Sequence, residues 1–258
     1  MQGLMRLKVL GCSGGIGGDL RTTSFLLNEQ ILIDCGTGIS ELELGALRKI
    51  RDIFLTHSHL DHIAGLPLLV DTIFDSLKTP LTVHATAETT EAIRKHIFNN
   101  VIWPDFSRIP TDDNPVMQYQ VISPGVRYDL DGCKIEIIPV NHVVPTVGYR
   151  VSCSDRAFAF TGDTTTNDLF WQKLNEADSL DVLIAEVAFP NRERELCKLA
   201  HHYCPNLLAA DLAKLRHRPK IYISHLKPGS EAEIMQECRQ AMPEFSLERL
   251  QGSQEILI

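Results

Sequence analysis

The sequence predicts an α/β fold in which two β-sheets stack together with helices on their outer sides. Two observations carry that reading. The chain opens on three closely spaced strand-like runs, RLKVLG (6–11), TSFLLN (23–28) and QILIDC (30–35), which make its start rich in hairpins. From residue 52 onward, strand-like runs alternate with helical patterns. That combination fits two sheets with helices outside better than one purely parallel, doubly wound sheet.

Each later element follows from its local pattern. DIFLT (52–56), LTVHA (81–85), KIEIIPV (134–140), VGYRVS (147–152), AFAFT (157–161), DVLIAE (181–186), KIYISH (220–225) and EILI (255–258) are short apolar, β-branched runs and complete the strand candidates. Helical spacing appears at 62–77, where Ile63, Leu66, Leu69, Val70 and Ile73 recur on one face, and again at 87–98, 167–177, 206–216 and 230–241. Pro205 precedes the fourth of these and Ser230 opens the last, both of them helix-start signals. No linker divides the chain, so residues 1–258 read as a single domain. A surface excursion is expected at about 98–125, richest in Pro, Asp and Asn across FNNVIWPDFSRIPTDDNPV.

Composition narrows the function classes. With 44% hydrophobic and 22% charged residues and no apolar run of membrane-spanning length, the chain reads as an ordinary soluble globular protein. The start MQGLMRLKVLGCSGG lacks the apolar core and cleavage site of a secretory leader, so a cytoplasmic location is expected. Seven scattered cysteines without a C-x-x-C pair indicate neither a disulfide framework nor a cysteine zinc site, and read mostly as buried thiols. A formal charge of -8 argues against a surface that tracks nucleic-acid phosphates. Arg192, Arg194, Lys198 and LAKLRHRPK (212–220) are the densest basic stretches, and they read as solvated faces. GCSGGIGGD is not followed by a helix pattern, so it reads as a flexible loop at a site edge whose N–H groups face an anion, rather than as a dinucleotide-binding turn.

The chemistry concentrates in THSHLDH (56–62). Chance placement of H-x-H-x-D-H in a chain with 10 His is roughly a one-in-a-thousand event. With DIFLT as a strand, His57 and His59 leave the same side of extended chain. Asp61 and His62 then open the helical pattern, so the four side chains stand as two pairs at a strand-to-helix turn. Three further candidates end apolar strands: His142 after KIEIIPVN, Asp163 after AFAFTG and His225 closing KIYISH. Each alone reads as an ordinary strand-end polar residue. Together they complete a cage, with His57, His59 and His142 for one metal ion, Asp61, His62 and His225 for a second, and Asp163 between them. Imidazole and carboxylate donors suit Zn²⁺, and also Mn²⁺ or Fe, in an open site with a bridging water.

THSHLDH, His142, GDT at Asp163 and His225 together resemble the metallo-β-lactamase fold superfamily over nearly the whole chain. The resemblance implies a four-layer αββα sandwich and a hydrolase. HLDHIAGLPL, IFNNVIWPDF (97–106) and ISHLKPG (223–229) are similar to class II cyclic-nucleotide phosphodiesterases and their bacterial relatives. The implied reaction is hydrolysis of a 3′,5′-cyclic nucleotide, cAMP or cGMP, to the 5′-monophosphate through a hydroxide bridging the metals. The implied catalytic residues are Asp61, His202 and Glu186. His202 stands before Pro205, where phosphodiester-cleaving relatives carry a histidine, and it reads otherwise as a plain helix-start residue; Glu186 either orients it or ends a strand. Expected partners are a small phosphodiester, with a homodimer allowed, and neither nucleic acid nor membrane. A ribonuclease Z-like tRNA endonuclease, a lactone or thioester hydrolase and a non-catalytic nucleotide sensor are the alternative readings.

Overall fold

The computed structural model describes residues 5–258. The leader reading rests partly on residues 1–4, which lie outside the described residues. The first sheet takes β1 (Arg6–Gly11), β2 (Ser24–Leu27), β3 (Ile31–Ile33), β4 (Asp52–Phe54) and β5 (Leu81–Ala85). A small ribbon of β6 (Pro110–Thr111) and β7 (Asn114–Pro115) leads into β8 (Met117–Val121), which pairs parallel with β5. The second sheet takes β9 (Arg127–Leu130), β10 (Cys133–Val140), β11 (Thr146–Cys153), β12 (Arg156–Phe160), β13 (Val182–Glu186), β14 (Lys220–Ser224) and β15 (Leu247–Arg249). The last strand, β16 (Glu255–Leu257), returns to the first sheet beside β1. The orders are β16-β1-β2-β3-β4-β5-β8 and β15-β14-β13-β12-β11-β10-β9.

Strand alternation builds three apolar layers. Phe25, Leu27, Ile31 and Ile33 point from the first sheet onto Ile135, Val147, Tyr149, Phe158 and Ile184 of the second. The intervening Leu26 and Leu32 point outward with Ile53 and Val83, under Leu66, Leu69, Val70 and Ile93. Those four lie on α3 (Leu66–Ile73) and α4 (Ala87–His96), which follow the single turns α1 (Leu44–Leu47) and α2 (Leu60–Ile63). On the far side, Ala159, Leu183, Ile221 and Ile223 pack under α5 (Leu169–Glu176), α7 (Pro205–Leu212) and α8 (Glu231–Ala241), with α6 (Arg194–Leu199) preceding α7. Both sheets bury both faces, which makes their strands read as near-continuous apolar runs. Helix, sheet, sheet and helix layers form the expected αββα sandwich.

Four expectations change. The helix at 62–77 is divided: α2 ends at Ile63 and α3 starts at Leu66, with a 3-10 turn at 74–76. Pro67 lacks an N–H and suits a helix start rather than an interior. Gly65 sits at the break because a side chain there would strike the Gly36 carbonyl. DIFLT ends as a strand at Phe54, so His57 and His59 converge through a loop and not by strand alternation. The 98–125 excursion is partly core: Phe98, Phe106 and Val116 are buried and 117–121 is strand β8, although Val101 is 85% exposed. Finally, Cys133 and Cys153 stand directly opposite each other on β10 and β11 and form a disulfide. Their separation of 20 residues hides a hairpin pairing, whereas the other five cysteines are buried thiols as expected.

Candidate metal centre

The site lies where strand ends converge. β12, β13 and β14 run parallel, and β10 shares their direction because it is two antiparallel steps from β12. Asp163, Glu186, His225 and His142 therefore leave the same edge of the second sheet. The backbone N–H of Val147 donates to the Thr56 carbonyl at 3.1 Å, tying that edge to the loop after β4 that carries His57, His59, Asp61 and His62.

The side chains meet in two groups, His57, His59, His142 and Asp163, and Asp61, His62, Asp163 and His225, with donor atoms in each within 4.8 Å of one another. These are the seven residues and the two sets expected from sequence, with Asp163 common to both. One Asp163 oxygen lies 3.3 Å from His62 Nε2 and 3.3 Å from His225 Nδ1, and the other lies 3.7 Å from His57 Nε2. Asp61 Oδ2 stands 3.9 Å from His62 Nε2 and 3.7 Å from His225 Nε2.

Hydrogen bonds behind the rings fix which nitrogen faces inward. His62 Nδ1 donates to Asp34 Oδ2 at 2.7 Å. Thr56 spends its hydroxyl proton on Asp34 at 2.9 Å and accepts from His57 Nδ1 at 2.9 Å. His142 Nδ1 donates to the His201 carbonyl at 3.0 Å. In all three, engagement of Nδ1–H leaves the Nε2 lone pair for a metal. Asp34, His201 and His225 adopt left-handed backbone, with φ of 55°, 52° and 62°, a conformation that non-glycine residues hold at a cost and that clusters at functional sites.

Charge states of His57, His59, His142, His225 and Asp163 agree with a donor role. Burial lowers His57 well below the ordinary imidazole value, lowers His59, and brings His142 to about 4 and His225 to about 3. Burial pushes the Asp163 carboxyl up, but His225, His62 and His57 prevail and hold it well below the usual range. Burial also opposes charge on His62, yet Asp163 and Asp34 raise it well above the usual value, so this ring holds a second proton on Nε2 that a metal would have to displace. The inward atoms His57 Nε2, His62 Nε2, Asp163 Oδ1 and both His225 nitrogens are buried without a hydrogen-bond partner. Orphaned buried donors and acceptors are rare unless a ligand satisfies them. His142 Nε2 and His59 Nδ1 face each other at 3.2 Å, an arrangement that a cation between two lone pairs explains. The His/Asp cluster is suited to two metal ions.

The candidate catalytic residues are adjacent. His202 is buried, its Nδ1 donates to Glu186 Oε1 at 2.8 Å, and its ring lies 5.0 Å from the His142 ring and 5.3 Å from that of His225. Glu186, fully buried, also accepts from the Thr164 and Tyr203 N–H groups. It therefore orients the imidazole as well as ending β13. Asp61 keeps 30% of its side chain exposed, at the mouth. His201 stays partly exposed as expected, but its carbonyl holds His142.

Sequence reasoning passed over Asp34, Thr56 and the His201 carbonyl. Asp34 carried a usable signal, an acidic residue just after an apolar strand, as Asp163 is. The glycine-rich loop does border the site: a side chain on Gly14 would meet the His225 backbone and ring. The N–H groups of Cys12, Ser13 and Gly14 are nevertheless spent on the Arg21 and Leu226 carbonyls and do not face an anion.

Residues 29–242 match the family model described as a beta-lactamase superfamily domain. Over 210 residues the chain is 30% identical to a probable 3′,5′-cyclic-nucleotide phosphodiesterase of Yersinia pestis, covering 70% of this chain and 58% of that relative. Over 243 residues it is 26% identical to ribonuclease Z of Mycobacterium sp. (strain KMS), covering 82% of this chain and 80% of that one. The fold superposes on unliganded yeast PDE1 with a TM-score of 0.84 at 18% identity, over 99% of each chain. No helix among the described residues is long and apolar enough to cross a membrane.

Proposed function

The chain belongs to the metallo-β-lactamase superfamily of metal-dependent hydrolases, and on that premise we propose that it is a dinuclear phosphodiesterase acting on a small 3′,5′-cyclic nucleotide, cAMP or cGMP. The observation that carries this reading is the His202–Glu186 pair standing against two ligand sets that share Asp163. His57, His59, His142 and Asp163 would hold one divalent ion, and Asp61, His62, Asp163 and His225 the other, Zn²⁺ by donor chemistry with Mn²⁺ or Fe as alternatives. Bound there, the ions supply Lewis acidity, lowering the pKa of water and neutralising phosphoryl charge.

The protein side chains do the rest. Glu186 holds the His202 Nδ1 proton, which aims Nε2 at the centre. From there Nε2–H donates to a phosphoryl oxygen or protonates the departing 3′ oxygen, a contribution of about 10² to 10⁴ in rate. Water adds to phosphorus, the P–O3′ bond breaks, O3′ takes a proton and the nucleoside 5′-monophosphate leaves. Charge pairing supports a small substrate. Arg192 pairs with Glu233 and Glu193, Lys198 with Glu195, and Lys214 with Asp168 and Asp211, so these cations are not arrayed for a polyanion. The competing reading is tRNA 3′-end processing, favoured by the longer match to ribonuclease Z.

Metal-reconstituted protein assayed on cAMP, cGMP, bis(p-nitrophenyl) phosphate, precursor tRNA and a lactone tests the choice. Cyclic-nucleotide turnover that exceeds tRNA cleavage at low salt is expected. Efficient tRNA cleavage without cyclic-nucleotide turnover would transfer the assignment to the competing reading.

A further inference from the structure

Beside His202 the loops after β13 and β14 form a wall that the metal chemistry does not use. Glu186 pairs with Ser224 in the parallel register, and the Lys227 N–H donates to the Ala188 carbonyl at 3.1 Å, so the two loops leave the sheet side by side. They carry Phe189 and Lys227, both half-buried. The Phe189 ring stands 5.8 Å from the His202 ring, steeply inclined at 68°. Lys227 Nζ lies 6.0 Å from the centre of the Phe189 ring and donates to the Gly14 carbonyl at 2.8 Å. Gly14 in turn packs against the His225 ring, so the ammonium sits one residue from a candidate ligand and one ring from His202.

The charge on Lys227 is the informative feature. Arg192, Lys198 and Lys214 on neighbouring elements each have a carboxylate, whereas among the described residues no carboxylate lies within 4.0 Å of Lys227 Nζ. An ammonium has three donors, and one of them is spent on Gly14. A tie between two loops needs only a neutral donor. A partly desolvated cation with donors to spare beside a hydrolytic centre is suited to an anion.

We propose that Lys227 and Phe189 are the substrate-specificity residues of this centre: the ammonium takes a non-bridging oxygen of the anionic phosphodiester, and the Phe189 ring takes the flat base attached to it. This rests on the phosphodiesterase reading and names which part of the substrate each residue recognises. Aromatic stacking accepts either purine, so Phe189 selects for a planar group rather than for one base.

The test uses the full chain loaded with metal. Lys227→Gln keeps a donor for Gly14 and removes the charge; Lys227→Arg retains the charge. Loss of one charge-assisted bond predicts that Lys227→Gln raises the KM for cAMP about tenfold and weakens calorimetric binding of inorganic phosphate about tenfold, with kcat within about twofold and metal content unchanged. Lys227→Arg restores most of both. Phe189→Ala raises the KM for cAMP but leaves phosphate binding and the KM for dimethyl phosphate as in the unaltered protein. Unchanged phosphate binding in Lys227→Gln, or a fall in metal content that accounts for the loss, overturns the role of Lys227; equal effects of Phe189→Ala on cAMP and phosphate overturn that of Phe189. Phosphate binding is read without turnover. If the unaltered protein hydrolyses no cyclic nucleotide but Lys227→Gln still loses phosphate, the cyclic-nucleotide reading fails while the anion site stands.

Discussion

On the deep side of the centre, His62 is fully buried, bonded to Asp34 through Nδ1, and Asp34 is itself held by the N–H and hydroxyl of Thr56. On the mouth side, His59 is half-buried, its ring stands against those of His57 and His142, and among the described residues no carboxylate or carbonyl is hydrogen-bonded behind it. A ligand whose far nitrogen is engaged loses little further freedom on binding metal, whereas an unsupported one must be ordered by the metal itself. The deep side is braced by hydrogen bonds behind its candidate ligand, whereas the mouth side at His59 is not. Asp163, fully enclosed and touching both halves, is the element that couples them.

The sharpest way to break this comparison is to remove the coupling residue. Asp163→Ala should lose both ions together, and turnover should fall by more than the 10- to 100-fold typical of residues that only orient a ligand. Elemental analysis beside steady-state kinetics checks it, with two ions per chain expected in the unaltered protein. Retention of both metals and near-normal turnover in Asp163→Ala would show that the halves are independent.

A somewhat smaller effect separates holding from chemistry. His202→Ala should keep both metals and the fold while kcat falls between about tenfold and 10⁴-fold, whereas His225→Ala should lose metal affinity. Equal metal loss in the two variants would make His202 a ligand, and an unchanged kcat would make it a bystander.

The smallest predicted effect probes the rigid side alone. Asp34→Asn keeps the shape and removes the charge behind His62, so affinity for one ion should weaken by about 10- to 100-fold while the other stays bound. Competitive chelator titration resolves the two affinities. Parallel weakening of both would mean that support for His62 is transmitted through Asp163 and that the two sides differ less than their contacts imply.

The sequence by itself determined the chemistry of the centre and the layering of the fold. THSHLDH concentrates donors beyond chance, and His142, Asp163 and His225 each follow an apolar run, so the candidate donor types follow from local pattern. Continuous apolar runs such as ILI and SFLL likewise dictate strands buried on both faces. Tertiary structure alone decided what stands behind the candidate ligands. Asp34 reaches His62 across 28 residues, and His142 finds the carbonyl of His201 across 59. The apposition of Cys133 with Cys153, the broken helix at Gly65 and the union of Phe189, Lys227 and Gly14 in one wall have the same origin. Periodicity reports which face of an element is apolar, but it carries no register between distant elements. Hydrogen bonds act over about 3 Å, so contacts of this kind exist only once packing has set the distances.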